Sequence, residues 1–310
     1  MIHPTFDVQK WQNCFDWEAF AINELLDGWN ITSPVHLLGS LYGREKSKID
    51  ISRFKTQETD VFVMGYGEPL VPYQTKIGGC PFRPREKNWP NSSAGKPLVF
   101  AAQFCFLDSL DIVGCLPGNL LLIFFDEYPP VTKNTEFFFE WYDIDDIREV
   151  QPLSSIASQA FLRAGWKYDE ICCYGVKLRT VDYVEGYRAF SSFYRADSVA
   201  RNLHSLRATK IGGLPSYYGA TYDDYHGDYI TSDYMDENTK RHIAALHDAQ
   251  FLCSIASIEP AISAVYPFVN RETPIPCNDI GHYSLLWGDL GALDIYIDKE
   301  KSILWDFRDA

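Results

Sequence analysis

Two short segments of the chain place a lysine directly before an Ile-Gly-Gly turn. TKIGGCP occupies residues 75–81, and TKIGGLP occupies residues 209–215. The glycines permit positive φ and close approach of another backbone, and the proline ends strand pairing on its side. One interpretation is a structural corner, with the isoleucine in the core and the lysine reaching carbonyls or a carboxylate. In the other, Lys76 and Lys210 are related by a pseudo-two-fold axis and flank a shared ligand cleft. The repetition favours the corner, because a small enzyme seldom needs one active site twice.

The segment 222–238 has the most unusual local composition. It holds six carboxylates, four tyrosines and one histidine, and it contains no lysine or arginine. It is a solvated acidic loop, a surface that binds a basic partner through rigid tyrosines and carboxylates, or a divalent-metal site. The spacing does not match an EF-hand. The candidate binding residues are Asp223, Asp224, Tyr225, Asp228 and Tyr229. The candidate metal ligands are Asp223, Asp224, His226 and Asp228.

Four further residues are candidates for binding or catalysis. Trp89, followed by a proline, is an aromatic lid or a packed loop anchor. Asp289 either pins a tight Trp-Gly-Asp turn or pairs with one of the two motif lysines. His282, close to that turn, is a base or a hydrogen-bonded, partly buried histidine. Cys80 is a nucleophile on a strained turn or a packing residue, and the leucine at the matching position of the second motif favours packing.

Common catalytic signatures are missing from the sequence. There is no G-x-S-x-G and no H-E-x-x-H, and the GKP at 95–97 lacks the earlier glycine of a phosphate-binding loop. We therefore expect no catalytic residue, no cofactor and no metal, although enzyme activity is left open.

Length and composition predict a folded, acidic protein. The chain has 310 residues, of which 46% are hydrophobic, so it can form two domains or one large one with a substantial core. Its net charge of −14 repels phosphate backbones, which argues against nucleic-acid binding and suits a basic partner.

The first residues and the cysteines predict a cytoplasmic location. The sequence begins without a basic and apolar leader, and no apolar run approaches the roughly 18 residues of a membrane span, so no membrane partner is expected. The eight cysteines include no C-x-x-C pair. We interpret them as reduced, mostly buried thiols.

Hydrophobic patterning predicts an α+β fold of several strands with a few short helices. Strands are expected in 60–66, 97–107, 118–127, 135–144 and 170–183. Helices are expected in 16–29, 152–165 and 197–206. The strand in 135–144 alternates so weakly that we expect burial on both of its faces.

Three landmarks recur in one order, which predicts an internal duplication. The Lys-Ile-Gly-Gly motif is followed by Ala-Gln-Phe at 102–104 and again at 249–251, and then by a glycine-led strand at Gly118 and again at Gly291. The resulting organisation has four parts. They are an N-terminal extension packed on repeat 1 (1–70), repeat 1 (71–150), a connecting segment (151–204) and repeat 2 (205–310).

These motifs resemble the YwqG-like family, a bacterial domain family of unknown function. The resemblance is carried by KIGGCPFRP at 76–84, GKPLVFAAQ at 95–103, KIGGLP at 210–215 and WGDLGALDIYI at 287–297, and it covers roughly residues 75–310. It implies a mixed α+β fold with much antiparallel sheet, and it implies no established chemistry. The sequence departs from the family pattern after the second motif, where the acidic, tyrosine-rich segment stands.

Two functional hypotheses follow. The first is a cytoplasmic, non-enzymatic protein-binding module, one version of which is an immunity or inhibitor protein that masks a basic bacterial toxin. The second is an enzyme or small-ligand binder, with a cleft between the repeats lined by Lys76, Trp89, Lys210, His282 and Asp289.

Overall fold

The computed structural model describes residues 51–66, 68–126, 135–156, 160, 172–184, 204–206, 208–215, 237–256 and 292–308. The strands are β1 Lys55–Tyr66, β2 Lys76–Gly78, β3 Val99–Cys105, β4 Leu120–Phe125, β5 Phe137–Tyr142, β6 Cys172–Val184, β7 Lys210–Gly212, β8 Gln250–Ala256, β9 Ala292–Ile297 and β10 Ile303–Arg308. The α-helices are α1 Leu110–Val113 and α2 Glu237–Asp248, and 3-10 helices span Ile51–Arg53, Ile144–Asp146 and Leu153–Ser155. The prediction of mostly antiparallel sheet with a few short helices is confirmed.

The protein divides into two compact units. The β2–β5 unit comprises Met64–Val176 and Ser257–Asp289. The β7–β10 unit comprises Met1–Val63, Lys177–Ala256 and Leu290–Ala310. The divisions between them fall within β1, after Val63, and within β6, after Val176, so each of these two strands contributes residues to both units.

In the β2–β5 unit the strand order is β6-β2-β3-β4-β5, and the paired strands are antiparallel. All six residues of β4 are buried, which explains its unbroken apolar sequence, LLLIFF. One face of these strands carries a hydrophobic cluster of Leu98, Phe100, Leu120, Leu122, Phe124 and Ile144. Helix α1 is a single turn that ends at Val113 and is followed by its C-cap, Gly114, where φ is 72°.

In the β7–β10 unit the strand order is β10-β9-β8-β7-β1-β6. The four successive pairs from β10 to β1 are antiparallel. Strand β9 is buried at all six positions, like β4 in the other unit. The sequence assigned residues 1–70 to an extension on repeat 1. In the structure, Thr59–Val61 of β1 pair with β7 of the predicted repeat 2, whereas Glu68 contacts Lys76 and Cys80 of the predicted repeat 1. The packing of this extension stays a prediction.

The two units have the same pairing register next to each motif. Ile77 of β2 faces Ala102, and Ile211 of β7 faces Cys253. Each following strand then has a register shift at the corresponding place, between Phe100 and Ala102 in β3 and between Phe251 and Cys253 in β8. Such bulges add a residue to one strand of a pair and bend it.

This register corrects the alignment of the sequence landmarks. Ala102 and Cys253 take the same place opposite the two motif isoleucines, so the Ala-Gln-Phe segments at 102–104 and 249–251 do not take matching places beside their motifs. The glycine-led landmark is also displaced. Leu120 faces Cys105 and Ala292 faces Ala256, so residue 118 corresponds to 290 and not to 291.

Strand β5 differs from its prediction in burial. None of its residues is buried, and Phe138 is 41% exposed. The reason is its position at the end of the strand order, where it pairs with β4 on one side. Its aromatic content, rather than enclosure on both faces, accounts for the weak alternation.

The helix predictions have mixed outcomes. Residues 153–155 form a 3-10 helix, and most of the longer helix predicted over 152–165 lies outside the described residues. Helix α2 was not predicted. The expected helix at 16–29 lies outside the described residues.

Cys80, Cys105, Cys115 and Cys253 form no disulfide bond. Cys253 is buried, Cys80 and Cys105 are partly exposed, and Cys115 is exposed. Burial raises the pKa of the Cys253 thiol well above its ordinary value, and the neighbouring charge of Asp294 adds to the rise. No helix in the described part of the protein is long and apolar enough to cross a membrane.

Candidate functional site

Three of the ten predicted binding residues lie in the described part of the protein. Lys76 belongs to the β2–β5 unit, as does Trp89, and Lys210 belongs to the β7–β10 unit. The remaining seven lie outside the described residues: Asp223, Asp224, Tyr225, Asp228, Tyr229, His282 and Asp289.

Lys76 is buried against a carboxylate. Its Nζ lies 2.6 Å from Glu68 Oε2, and the exposed fractions of the two side chains are 2% and 48%. The other carboxylate oxygen of Glu68 accepts a hydrogen bond from the backbone N–H of Cys80 at 2.7 Å. Glu68 therefore ties the first residue of the Lys-Ile-Gly-Gly-x motif to the fifth.

Lys210 makes the corresponding contact in the other unit. Its Nζ lies 2.9 Å from Asp182 Oδ2 and 3.0 Å from Ser205 Oγ. Asp182 Oδ2 also accepts the backbone N–H of Leu214, the fifth motif residue, at 2.9 Å. Lys210 and Asp182 are both completely buried. The same bridge thus occurs twice, with carboxylates from unrelated positions of the sequence.

The two glycines of each motif allow this bridge. Gly78 and Gly79 have φ of 66° and 70°, and Gly212 and Gly213 have φ of 67° and 73°. This left-handed conformation turns the backbone so that the next N–H meets the carboxylate. A Cβ on Gly213 would lie 2.5 Å from Asp182 Oδ2 and 2.7 Å from Thr59 Cβ, so the approach is also too close for a side chain.

The other motif residues have matching structural contacts. Thr75 Oγ1 accepts the N–H of Cys105 at 3.0 Å, and Thr209 Oγ1 accepts the N–H of Ala256 at 3.3 Å. Each donor is the last residue of the neighbouring strand. Both motif isoleucines are fully buried. The motif therefore forms the structural corner that the repetition favours.

Arg83 is a buried side chain that the sequence did not identify. Its Nε and one terminal nitrogen form a bidentate pair with Glu140, at 2.6 and 2.8 Å. The remaining donors reach Lys87 O, Asn88 O and Gln151 Oε1. All five N–H groups of the guanidinium are thereby used, which fixes the loop that follows β2. Burial lowers the pKa of Arg83, but the hydrogen bond and charge of Glu140 outweigh it and the pKa is raised overall.

Trp89 anchors the same loop. Its indole N–H donates to Leu98 O at 2.8 Å, and its ring packs edge-on against Phe124 with centroids 5.5 Å apart. The Arg83 guanidinium lies 5.9 Å from the centre of the indole ring. Cys80 packs nearby against Ile156 and Ala160. These contacts match the loop-anchor and packing interpretations of Trp89 and Cys80.

A surface of different character begins at β5. We define the acidic–aromatic strip as residues 136–149. It combines five aromatic residues of β5, none of them buried, with exposed carboxylates on both sides. The exposed carboxylates are Glu136, Asp143, Asp145, Asp146 and Glu149. The single basic residue of the strip is Arg148.

Local contacts hold the strip in place. Glu136 accepts hydrogen bonds from the hydroxyl and the N–H of Ser93, and these bonds lower the pKa of Glu136. Tyr142 lies beside Glu140 and Arg83; burial, followed by the charge of Glu140, raises the pKa of Tyr142. Glu149 pairs with Arg85 at 3.1 Å, and both side chains are well exposed.

Sequence reasoning could not find the carboxylate partners of the motif lysines. Glu68 precedes Lys76 by 8 residues, whereas Asp182 precedes Lys210 by 28, so no shared spacing marks them. In the sequence Arg83 is one of two arginines in a proline-rich loop, and nothing local distinguishes it from Arg85. Within the described ranges, no group of three or more His, Cys, Asp or Glu side chains has the arrangement of a metal site.

The comparisons with known proteins point to one family. A family model described as a domain of unknown function, DUF1963, matches residues 75–310, the span that carries the sequence resemblance. No curated protein matches this sequence.

Proposed function

The protein belongs to the DUF1963 family of domains of unknown function, and within that family we propose that it is a non-enzymatic binding module for a basic protein partner. The observation that carries this proposal is the acidic–aromatic strip. Aromatic side chains are enriched at the centres of protein interfaces, and complementary charge around them accelerates association and selects the partner.

The aromatic part of the strip offers contact area. Phe138 is 41% exposed, and its neighbours in β5 are partly exposed. On the opposite face of the strand, Phe137 and Phe139 stack with ring centroids 6.2 Å apart, so β5 presents aromatic side chains on both of its faces. Rigid aromatic groups lose little conformational entropy on binding.

The charged part of the strip determines what kind of partner fits. The strip contains five exposed carboxylates and one exposed arginine, and the whole protein has a net charge of −14. The long-range field and the local surface therefore have the same sign. The long-range field steers a partner rich in lysine and arginine toward the protein, and the exposed carboxylates of the strip then pair with its basic side chains.

The corner motifs support a scaffold role for the lysines. Lys210 faces Asp182 and Ser205, and Lys76 faces Glu68, so each ammonium is directed at groups of its own unit. The cleft between the repeats, with His282 and Asp289, stays a prediction.

The test compares two triple charge reversals. Asp143→Lys/Asp145→Lys/Asp146→Lys alters the strip, and Glu58→Lys/Asp248→Lys/Glu300→Lys makes the same change in net charge at exposed positions elsewhere. Affinity capture from cells of the source organism is followed by titration of purified candidates. We expect a basic protein that binds the wild type and the control but loses at least 10-fold in affinity for the strip variant. Equal binding by both variants would contradict the proposal.

The predictions about duplication, domain boundaries, family subgroup and location are separate from this proposal. The matched registers and matched motif contacts support descent of the two units from one copied segment; the pseudo-two-fold relation and the boundaries at 70, 150 and 204 stay predictions. Membership of the YwqG-like group and cytoplasmic location stay predictions in the same way. An immunity protein against a basic toxin is one member of the proposed class, and co-expression with the captured partner would show whether the protein suppresses its toxicity.

A further inference from the structure

The buried ammonium of Lys76 requires an anion. Its side chain is 2% exposed, and a buried cation without a counter-ion is strongly destabilising. Glu68 Oε2 supplies the negative charge at 2.6 Å. The position therefore selects for a carboxylate, but it does not by itself require that the carboxylate be Glu68.

The two motif carboxylates are held very differently. Asp182 is completely buried and accepts a further N–H from Leu206 at 3.0 Å, so its release would disrupt the interior of its unit. Glu68 is 48% exposed, and its two oxygens make one contact each, to Lys76 and to Cys80. Both contacts can be broken by a single side-chain rotation into solvent.

Lys76 also has unused binding capacity among the described residues. An ammonium has three N–H donors, and of the described groups only Glu68 accepts from Lys76. Lys210, by comparison, donates to both Asp182 and Ser205. The lysine–carboxylate bridge in the β2–β5 unit is therefore more exposed and has fewer hydrogen bonds among the described residues than the bridge in the β7–β10 unit.

We propose that Lys76 Nζ and the Cys80 N–H form a binding site for an external carboxylate, and that Glu68 occupies this site as a built-in ligand. An incoming carboxylate replaces Glu68 oxygen for oxygen, while Glu68 turns into water. This proposal is independent of the basic-partner proposal, because it uses different residues and the opposite charge.

Glu68 makes the site selective in the wild-type protein. A tethered ligand competes at an effective concentration in the millimolar range or above, so a weak free acid does not displace it. Removing the Glu68 carboxylate removes this competition. The affinity for a free carboxylate is then expected to rise by at least 10-fold.

The experiment uses the full-length protein with Glu68→Ala, and Glu68→Gln as a second variant that keeps the shape of the side chain. The probes are acetate, N-acetylalanine and N-acetylalaninamide at constant ionic strength. Calorimetric titration and the thermal unfolding midpoint are measured. We expect N-acetylalanine or acetate to bind and stabilise both variants, and the amide, which lacks the carboxylate, to do neither. Tighter binding of N-acetylalanine points to the carboxyl terminus of a peptide as the source, and tighter binding of acetate points to a small acid.

Two controls keep the result specific. Glu68→Ala/Lys76→Met removes both charges and should fold without binding either acid. Glu58→Ala removes an exposed carboxylate from its ion pair with Arg179, outside the acidic–aromatic strip, and should bind the two acids like the wild type. Binding that persists without Lys76, equal affinity in the wild type and Glu68→Ala, or no binding by either Glu68 variant would each overturn the proposal.

Discussion

Single side chains in this protein organise whole loops. Arg83 lies just after the first corner, and its fork of donors collects a carboxylate, an amide oxygen and two backbone carbonyls. A lysine has the charge but not the planar geometry for this task.

We therefore expect Arg83→Lys to lower the free energy of unfolding by about 3 kcal/mol, because several charge-assisted hydrogen bonds in a buried site are lost. Urea denaturation measures the change. Arg85→Lys is the matched control, since the Arg85–Glu149 pair is exposed, and its effect should stay below about 1 kcal/mol. Similar losses for both variants would show that Arg83 does not order the loop.

Tyr142 gives the stability a pH dependence on the alkaline side. Its pKa is raised in the folded state, so its neutral form is favoured there. Stability from this group is complete below the ordinary tyrosine pKa of about 10 and declines as the pH rises further, because the unfolded protein releases the proton first. Between about pH 9 and 11.5 the free energy of unfolding should fall more steeply in the wild type than in Tyr142→Phe. If the free energy of unfolding fell equally steeply with pH in both proteins, the raised pKa of Tyr142 would not contribute to stability.

At the scale of elements, the corners were more predictable than their partners. The Gly-Gly pair, the buried isoleucine and the lysine directed at a carboxylate all follow from residue type. Glu68 and Asp182 do not, because each is brought to its lysine by tertiary structure and neither shares a spacing with the other. Strand β4 was recognised from its continuous apolar run, whereas the exposure of β5 depends on its place in the strand order, which local sequence does not record.

The second corner should tolerate no side chain at its second glycine. Gly213→Ala combines an unfavourable φ of 73° with a Cβ that meets Asp182 and Thr59. Gly95→Ala is the matched control: its φ is 75°, but nothing lies within 4 Å of the added Cβ. We expect a loss of about 1 kcal/mol for Gly95→Ala and a clearly larger loss for Gly213→Ala, measured by chemical denaturation. Equal losses would mean that the corner can open without cost.

At the scale of the whole molecule, charge is the dominant property. A net charge of −14 destabilises the compact state by self-repulsion, which salt screens. The triple reversal Asp143→Lys/Asp145→Lys/Asp146→Lys adds two charges at each of three positions, which changes the net charge from −14 to −8.

The thermal unfolding midpoint of the wild type should therefore rise between about 10 and 150 mM NaCl. Over this range the Debye length falls from about 30 Å to about 8 Å, so repulsion between distant surface charges is screened. The rise should be smaller in the triple variant, because less repulsion remains to be screened. Differential scanning calorimetry measures both. A midpoint that falls with salt in the wild type would show that attractive surface pairs outweigh the net repulsion.

The pairing of β1 with β7 also bears on where this protein can be cut. The family model begins at residue 75, yet Thr59 Oγ1 donates to the carbonyls of Ile211 and Gly212, and Glu68 is the anion of Lys76. A fragment trimmed to the family boundary would leave β7 without this neighbour and one buried lysine without its charge partner. Such an open strand edge invites pairing between molecules. The smallest independently folding fragment should therefore begin upstream of β1. The folded unit then starts before residue 75, where the family model begins.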